Sequence, residues 1–422
     1  MTSTANAAYV LELCARIAAE TDVPGAITRT YLSPATHAVH ELLRAEMESL
    51  GMAVRIDAAG NLRGLYPAQD SLSFRSAAEE SAFAFPTPIL LMGSHIDTVP
   101  DAGAYDGILG VALPIALLHS LEGSRFPFAI EIIAFSEEEG IRFKMPFIGS
   151  RALVGALGDA ELARTDADGI TLAHAIRDFG LDPNDLAGAA ITPGTFAFLE
   201  VHIEQGPVLE SLGLPLGIVD AIAGQARFEL TFTGHANHAG TTPMHLRRDA
   251  IAAAAEWMVE VERFAQNTDG LVATIGSIHA HPGAANVVPG SAILSLDVRH
   301  ASDETRLHAA AALLAEAEHI ARSRNIGLRI VETSEQSAIA MSPGLRDALA
   351  AASPAAHGMV SGAGHDAMIL APHLPSAMLF VRSPGGVSHH PSEAVLVEDI
   401  QAALGTCLRF LEALNPPTKR PA

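Results

Sequence analysis

Cysteine is nearly absent from this chain. Cys14 and Cys407 are its two cysteines, far apart and outside any CxxC pattern. A disulfide framework is therefore not expected. Positive charge is scarce as well. Lys and Arg number 26 against 48 Asp and Glu, a formal net charge of -22. So acidic a surface disfavours nucleic acid or an anionic membrane as partner, and an anionic substrate would need a local basic pocket. No apolar run is long enough to span a membrane. Met1-Thr2-Ser3-Thr4-Ala5-Asn6 lacks the basic stretch and apolar core of a secretory signal, so a cytoplasmic location is expected. No repeat recurs at a solenoid period. What is present is a chain of 422 residues, 49% hydrophobic. That is enough for two domains and at least one large core, and too apolar for disorder.

The stretch that organises the chain is Ser94-His95-Ile96-Asp97-Thr98-Val99-Pro100, followed by Asp101-Ala102-Gly103-Ala104-Tyr105-Asp106-Gly107. It comes directly after Ile89-Leu90-Leu91-Met92-Gly93, an apolar run that reads as a buried strand. Loops at strand ends of α/β sheets are where ligands bind. His95 and Asp106 offer a nitrogen and an oxygen to a cation, and a carboxylate can bridge two. Asp97 is placed to orient the imidazole. Taken alone, the stretch could equally be a polar loop. Three later segments of the chain argue for a metal site. Phe135-Ser136-Glu137-Glu138-Glu139-Gly140 succeeds another apolar run, then come Val201-His202-Ile203-Glu204-Gln205-Gly206-Pro207 and Ser388-His389-His390-Pro391. Together they supply a full ligand set for two borderline metals.

These motifs resemble those of the M20-type dinuclear metal-dependent amidohydrolases. That family includes N-carbamoyl-L-amino acid hydrolases, β-ureidopropionases and allantoate amidohydrolases. The resemblance spans nearly the whole chain. It rests on Ser94 to Gly110, Glu138 to Phe143, His202 to Glu210, His238-Ala239-Gly240-Thr241-Thr242-Pro243-Met244, Gly362 to Ala367 and Ser388 to Glu393. It implies one metal on His95, Asp106 and His202 and a second on Asp106, Glu139 and His389, both divalent, Mn2+ or Zn2+. It implies that Glu138 takes a proton from the attacking water and passes it to the leaving nitrogen. His238 matches the histidine that polarises the scissile carbonyl, often across a dimer interface. Asn286 and Arg299 match positions that hold a substrate carboxylate, for which the planar guanidinium is suited. Gln205 is a partner for a ureido group. His389 and His390 compete for one role: the family pattern places the ligand directly after Ser388, which favours His389, and the extra His390 is a departure that is either a supporting donor or the ligand itself. His365 and Asp366 are read as structural.

The finer resemblance leans to allantoate amidohydrolase, through Arg29 to Ala35, Asp101-Ala102-Gly103, Phe135 to Gly140 and Leu216 to Gln225. The implied reaction splits a ureido C–N bond of allantoate. The alternatives are an N-carbamoyl-L-amino acid hydrolase or β-ureidopropionase and, further off, a metallopeptidase of the same fold. A binding protein without catalysis would be expected to lose a ligand or Glu138, and neither is lost.

For the fold, an α/β catalytic domain of the zinc-peptidase type is expected, with an inserted ferredoxin-like α+β lid that forms a homodimer. Ser33-Pro34 reads as a cap and first turn, with Val39, Leu42, Leu43, Met47 and Leu50 on one helical face. Residues 69–88 show no clear period and read as a loop, and the tail after Asn415 as frayed. Strand and helix signals alternate as far as His202. Beyond Gly217 the order is strand, helix, strand, strand, helix, strand, with strands at 271–279, 292–299 and 327–331. The expected division is residues 1–216 and 333–422 for the catalytic domain and 217–332 for the insertion.

Overall fold

The structure is a computed structural model that describes residues 3–69 and 87–416. The expected loop at 69–88 and the frayed tail therefore fall mostly outside the described residues. The chain divides into two compact units. One comprises Met1–Asp220, Met341–Met359 and Gly364–Ala422, the other Ala221–Ala340 and Val360–Ala363. The cuts expected after 216 and 332 fall instead within the strands Leu216–Ile222 and Gly327–Gln336. Gly217 and Gly327 lie within or at the start of these continuous strands rather than at the boundaries, so a change of texture locates each boundary only to within several residues.

In the first unit the sheet runs in the order Ala53–Ile56, Leu62–Tyr66, Ala129–Phe135, Ile89–His95, Thr195–Ile203, Ser376–Val381, Leu216–Ile222. The middle four are mutually parallel, Leu62–Tyr66 and Leu216–Ile222 beside them run antiparallel to them, and Ala53–Ile56 pairs antiparallel with Leu62–Tyr66. Ile89–His95, Ala129–Phe135 and Ser376–Val381 are buried along their whole length. This is why they read as unbroken apolar runs rather than alternating ones. The helix Ile108–Ser120 is apolar nearly all round and is buried from Ile108 to Leu118, with Pro114 inside it. Around it Leu90, Met92, Ile132, Leu199 and Val201 join the core. The helix Pro34–Ser49 starts as expected: Ser33 accepts the backbone N–H of Thr36, a cap worth about 1 kcal/mol.

The second unit is an antiparallel sheet in the order Ile278–His281, Ser291–His300, Gly224–Thr233, Gly327–Gln336, with Val272–Thr274 also paired to Ser291–His300. With helices Ala250–Gln266 and Asp303–Ser323 this is the ferredoxin-like arrangement. On Gly224–Thr233, Ala226, Phe228, Leu230 and Phe232 face the two helices and their neighbours face away. Trp257 anchors this core. It is fully buried and its Nε1–H donates to the Leu313 carbonyl at 2.9 Å. Deleting its ring would cost roughly 3–5 kcal/mol. The single strand expected at 271–279 is broken at Gly276, where the Ser277 N–H turns to the Ser295 hydroxyl at 3.0 Å. Among the described residues, no helix is long and apolar enough to cross a membrane.

Candidate metal centre

The four parallel strands of the first unit all deliver residues to one place at their carboxyl ends. His95 closes Ile89–His95, Glu138 and Glu139 follow Ala129–Phe135, His202 is next to last in Thr195–Ile203, and His389 follows Ser376–Val381. Asp106 comes from the loop leading into Ile108–Ser120. Ligand atoms of His95, Asp106 and His202 lie within 4.8 Å of one another, as do those of Asp106, Glu139 and His389 and those of His95, Glu138 and Glu139.

Backbone carbonyls set the two buried imidazoles. His95 Nδ1 is 3.1 Å from the Asp97 carbonyl, and His202 Nδ1 is 2.9 Å from the Ile203 carbonyl. A carbonyl can only accept, so each Nδ1 carries the proton and each Nε2 is left as a ligand. Those two Nε2 atoms face each other at 3.4 Å. Asp106 Oδ1 lies 3.2 Å from His202 Nε2 and 3.7 Å from His95 Nε2. Its other oxygen, Oδ2, is 3.2 Å from His389 Nε2, which is itself 3.5 Å from Glu139 Oε1. One carboxylate thus turns one oxygen to each half of the site.

Electrostatics point the same way. Burial alone would raise Asp106, but its hydrogen bonds to the three histidines outweigh that and hold it well below the usual carboxylate range. Burial alone would lower His95, and Asp106 and Asp97 more than reverse it. Glu139 is pushed up to about 7 by burial and then, against His95, by Asp97 and Asp106. Glu138 is pushed well above its ordinary value by burial, opposed by His95 and reinforced by Glu139, Asp366 and Asp97. So dense a set of buried carboxylates is repelling itself, and positive charge among them relieves it. Nitrogen and oxygen donors, facing lone pairs and a shared carboxylate fit two borderline divalent cations.

Gly107 makes the geometry possible. Its φ is +70°, and a Cβ there would sit 2.5 Å from the His95 ring. Asp97 meets the His95 imidazole as expected, with its carbonyl 3.1 Å and its carboxylate 3.4 Å from Nδ1. The same carboxylate also accepts the backbone N–H groups of Glu138 and Glu139 at 2.9 and 3.0 Å, a role the sequence did not suggest. Gln205 has a left-handed backbone, φ 59°. Its Nε2 donates to both oxygens of Asp106 at 3.1 and 3.0 Å, while its buried Oε1 has no partner among the described residues. Of the adjacent histidines it is His389 that meets Asp106. His390 is exposed, with Nδ1 2.7 Å from the Ser392 hydroxyl.

His238, Asn286 and Arg299 belong to the second unit. His238 is exposed, and its Nδ1 accepts from the backbone N–H of Gly240 and of Thr241, which leaves an Nε2–H free to donate. Asn286 is exposed. Arg299 gives Nε and Nη2 to Asp297 at 2.9 Å each, and Nη1 to the Gly362 carbonyl at 2.6 Å. Arg227 also holds Asp297, at 2.9 Å. The two arginines line a cavity of about 560 Å³ together with Thr274, Ser295 and His300.

Some supports of the centre are not evident from single motifs. Glu200 accepts the Ser94 hydroxyl at 2.8 Å and the Ala367 N–H at 2.9 Å, tying together the segments that carry His95 and His202. Its position two residues before His202, on the same strand face, is the signal that could have found it. His365 sets its ring edge-on to His202 at 4.6 Å.

The chain is similar to known proteins. Residues 91–413 match the profile of peptidase family M20/M25/M40. An N-carbamoyl-L-amino acid amidohydrolase of Geobacillus stearothermophilus is 39% identical over 382 residues, 89% of this chain and 90% of that protein. An allantoate deiminase of Arabidopsis thaliana is 36% identical, covering 92% of this chain and 78% of its own. The crystal structure of a hydantoinase/carbamoylase family amidase from Burkholderia ambifaria matches with a TM-score of 0.85 at 31% identity, covering 96% of this chain and 97% of that one. Those matches extend through every strand end that builds the centre, and the chain belongs to the metal-dependent M20 family, as one of its amidohydrolases.

Proposed function

We propose that this amidohydrolase acts on allantoate, which with water gives ureidoglycine, ammonia and carbon dioxide. Two divalent cations, Mn2+ or Zn2+, on His95–Asp106–His202 and Asp106–Glu139–His389, would when bound polarise the scissile carbonyl and acidify water. The chain's own groups do the rest. Glu138, raised by burial, takes the proton of the attacking water and returns it to the leaving nitrogen. The free Nε2–H of His238 donates to the carbonyl oxygen. Gln205, Asn286 and Arg299 hold the ureido and carboxylate groups.

The observation that carries allantoate over a carbamoyl amino acid is the hydrogen-bonding capacity left on Arg299. Arg299 has committed three of its five N–H groups, leaving two for a further acceptor. Beside it stand Arg227 and the Thr274 hydroxyl, while Ala223, Phe228, Val272, Leu296 and Val360 make the rest of the wall apolar. The remaining Arg299 donors support a carboxylate plus a second ureido group, since a site built to hydrogen-bond such a group rejects analogues without it, and the apolar part of the wall suits the side chain of a carbamoyl amino acid. The carbamoyl reading is favoured by the 39% identity of the Geobacillus enzyme. A panel on metal-loaded protein decides. Ammonia from allantoate well above amino acid from N-carbamoyl-L-amino acids is expected, and the reverse order overturns the proposal.

We also propose a homodimer through the second unit. Support comes from its exposed apolar side chains, Met244 at 75%, Leu246 at 64% and Val272 at 58%, and from the exposed edge strand Ile278–His281. A monomer by light scattering with undiminished turnover would rule it out.

A further inference from the structure

The motif Ser388 to Glu393 supplies His389 to the centre, yet its last residue is bound more tightly into the fold than the ligand itself. Glu393 is 6% exposed. Its Oε1 accepts the backbone N–H of Tyr105 at 2.9 Å and of Asp106 at 3.0 Å, across 288 and 287 positions of sequence. Its Oε2 lies 3.3 Å from the Ser388 hydroxyl, which is also 3.0 Å from Asp106 Oδ2. The backbone closes the turn, with the Glu393 N–H donating to the His390 carbonyl at 3.0 Å. Room for the side chain comes from Gly103, where a Cβ would stand 2.3–2.4 Å from Glu393.

We infer that Glu393 is a positioning residue that latches the loop carrying Asp106 to the loop carrying His389, and so assembles the half of the centre that binds the second cation. The two halves differ in how they are anchored. His95 and His202 stand on buried central strands. His389 comes from a loop, with its side chain 48% exposed and a left-handed φ of 56°. Within its own segment, Ser388 Oγ alone reaches the Asp106 side chain directly among the hydrogen bonds described. Glu393 braces that contact from both sides at once, through the main chain of Asp106 and through Ser388. Partners of this kind, which hold ligands without touching the metal, typically carry 10–100-fold in metal affinity.

The inference rests on the two-cation reading of the centre, and one experiment separates the two. The full-length chain is stripped with chelator and titrated with Zn2+ by calorimetry. Wild type takes two equivalents. Glu393→Ala keeps the first and binds the second about 10–100-fold more weakly. Glu393→Gln retains both, because its amide oxygen still accepts the two N–H groups and its NH2 can donate to Ser388 Oγ, whose O–H is then donated to Asp106 Oδ2. Ser388→Ala, which cuts one of the two ties, falls between. Should Glu393→Ala not fold, Ser388→Ala takes its place. Wild-type second-site affinity in Glu393→Ala, or in Ser388→Ala standing in for it, overturns the inference. Equal weakening in Glu393→Gln and Glu393→Ala overturns it too, since charge rather than geometry would then be at work. A single equivalent in wild type removes the two-cation reading itself, and the latch with it.

Discussion

The Asp97 carboxylate accepts the backbone N–H of Glu138 at 2.9 Å, while its second oxygen takes that of Glu139. Both glutamates are thus pinned by the main chain, and their side chains are free to serve different atoms. Glu139 Oε1 approaches His389, whereas Glu138 is raised by burial into a range where it can carry a proton. Glu138→Gln preserves size and removes the proton acceptor. Turnover is expected to fall roughly 10²–10⁴-fold with metal stoichiometry intact. Loss of one metal equivalent in that variant would exchange the roles of the two residues.

Gly107→Ala tests the cradle under His95. The added Cβ meets the imidazole at 2.5 Å, and the φ of +70° is one that alanine adopts only at a cost of about 1–2 kcal/mol. His95 cannot simply swing aside, because its Nδ1 is held by the Asp97 carbonyl. Zn2+ bound after equilibrium dialysis should drop and the melting temperature should fall. An alanine variant with full metal content would show that the loop yields elsewhere.

Much of this centre is legible in the sequence because of where its ligands sit. His95 and Glu138–Glu139 come straight after unbroken apolar runs, and His202 lies near the end of one, the signature of central parallel strands whose carboxyl ends form the site. The division of labour within it is less legible. That Asp97 grips the glutamates' backbone depends on how two strand ends converge, which no spacing along the chain reveals. Glu393 acts across 287 residues, and only folding brings it to Asp106. The break at Gly276 escapes pattern reading because a serine hydroxyl, not the chain's alternation, diverts the ladder.

Chelation should abolish turnover, and readdition of Mn2+ or Zn2+ should restore it. His95→Ala should lose metal, because it removes an Nε2 that faces His202 at 3.4 Å and leaves Asp106 with one fewer neutralising partner. Metal content and ammonia release measured on the same samples check both. Full activity in verified metal-free protein would contradict the ligand assignment.

His40 gives the first unit an acid limit independent of the metal centre. It lies in Pro34–Ser49, 1% exposed, with its ring edge-on to Phe179 at 5.7 Å. Burial first, then the nearby charges of His37, Arg44 and Arg29, push its pKa down to about 3. An unfolded histidine titrates near 6.5. The native state therefore stays neutral while the unfolded chain takes up a proton, so the stabilising contribution is complete above about pH 6.5 and is lost as pH falls from there towards 3. Each pH unit in that window costs about 1.4 kcal/mol, or roughly 2 kcal/mol between pH 6.5 and 5. His40→Leu removes the titration and leaves every carboxylate in place. Urea unfolding of both proteins at pH 7 and pH 5 isolates the effect, because other titrations cancel in the difference. Wild type should lose about 2 kcal/mol more than the variant between those two pH values. Parallel losses would mean that His40 gains a proton in the native state without penalty, and that its burial is looser than its packing against Phe179 implies.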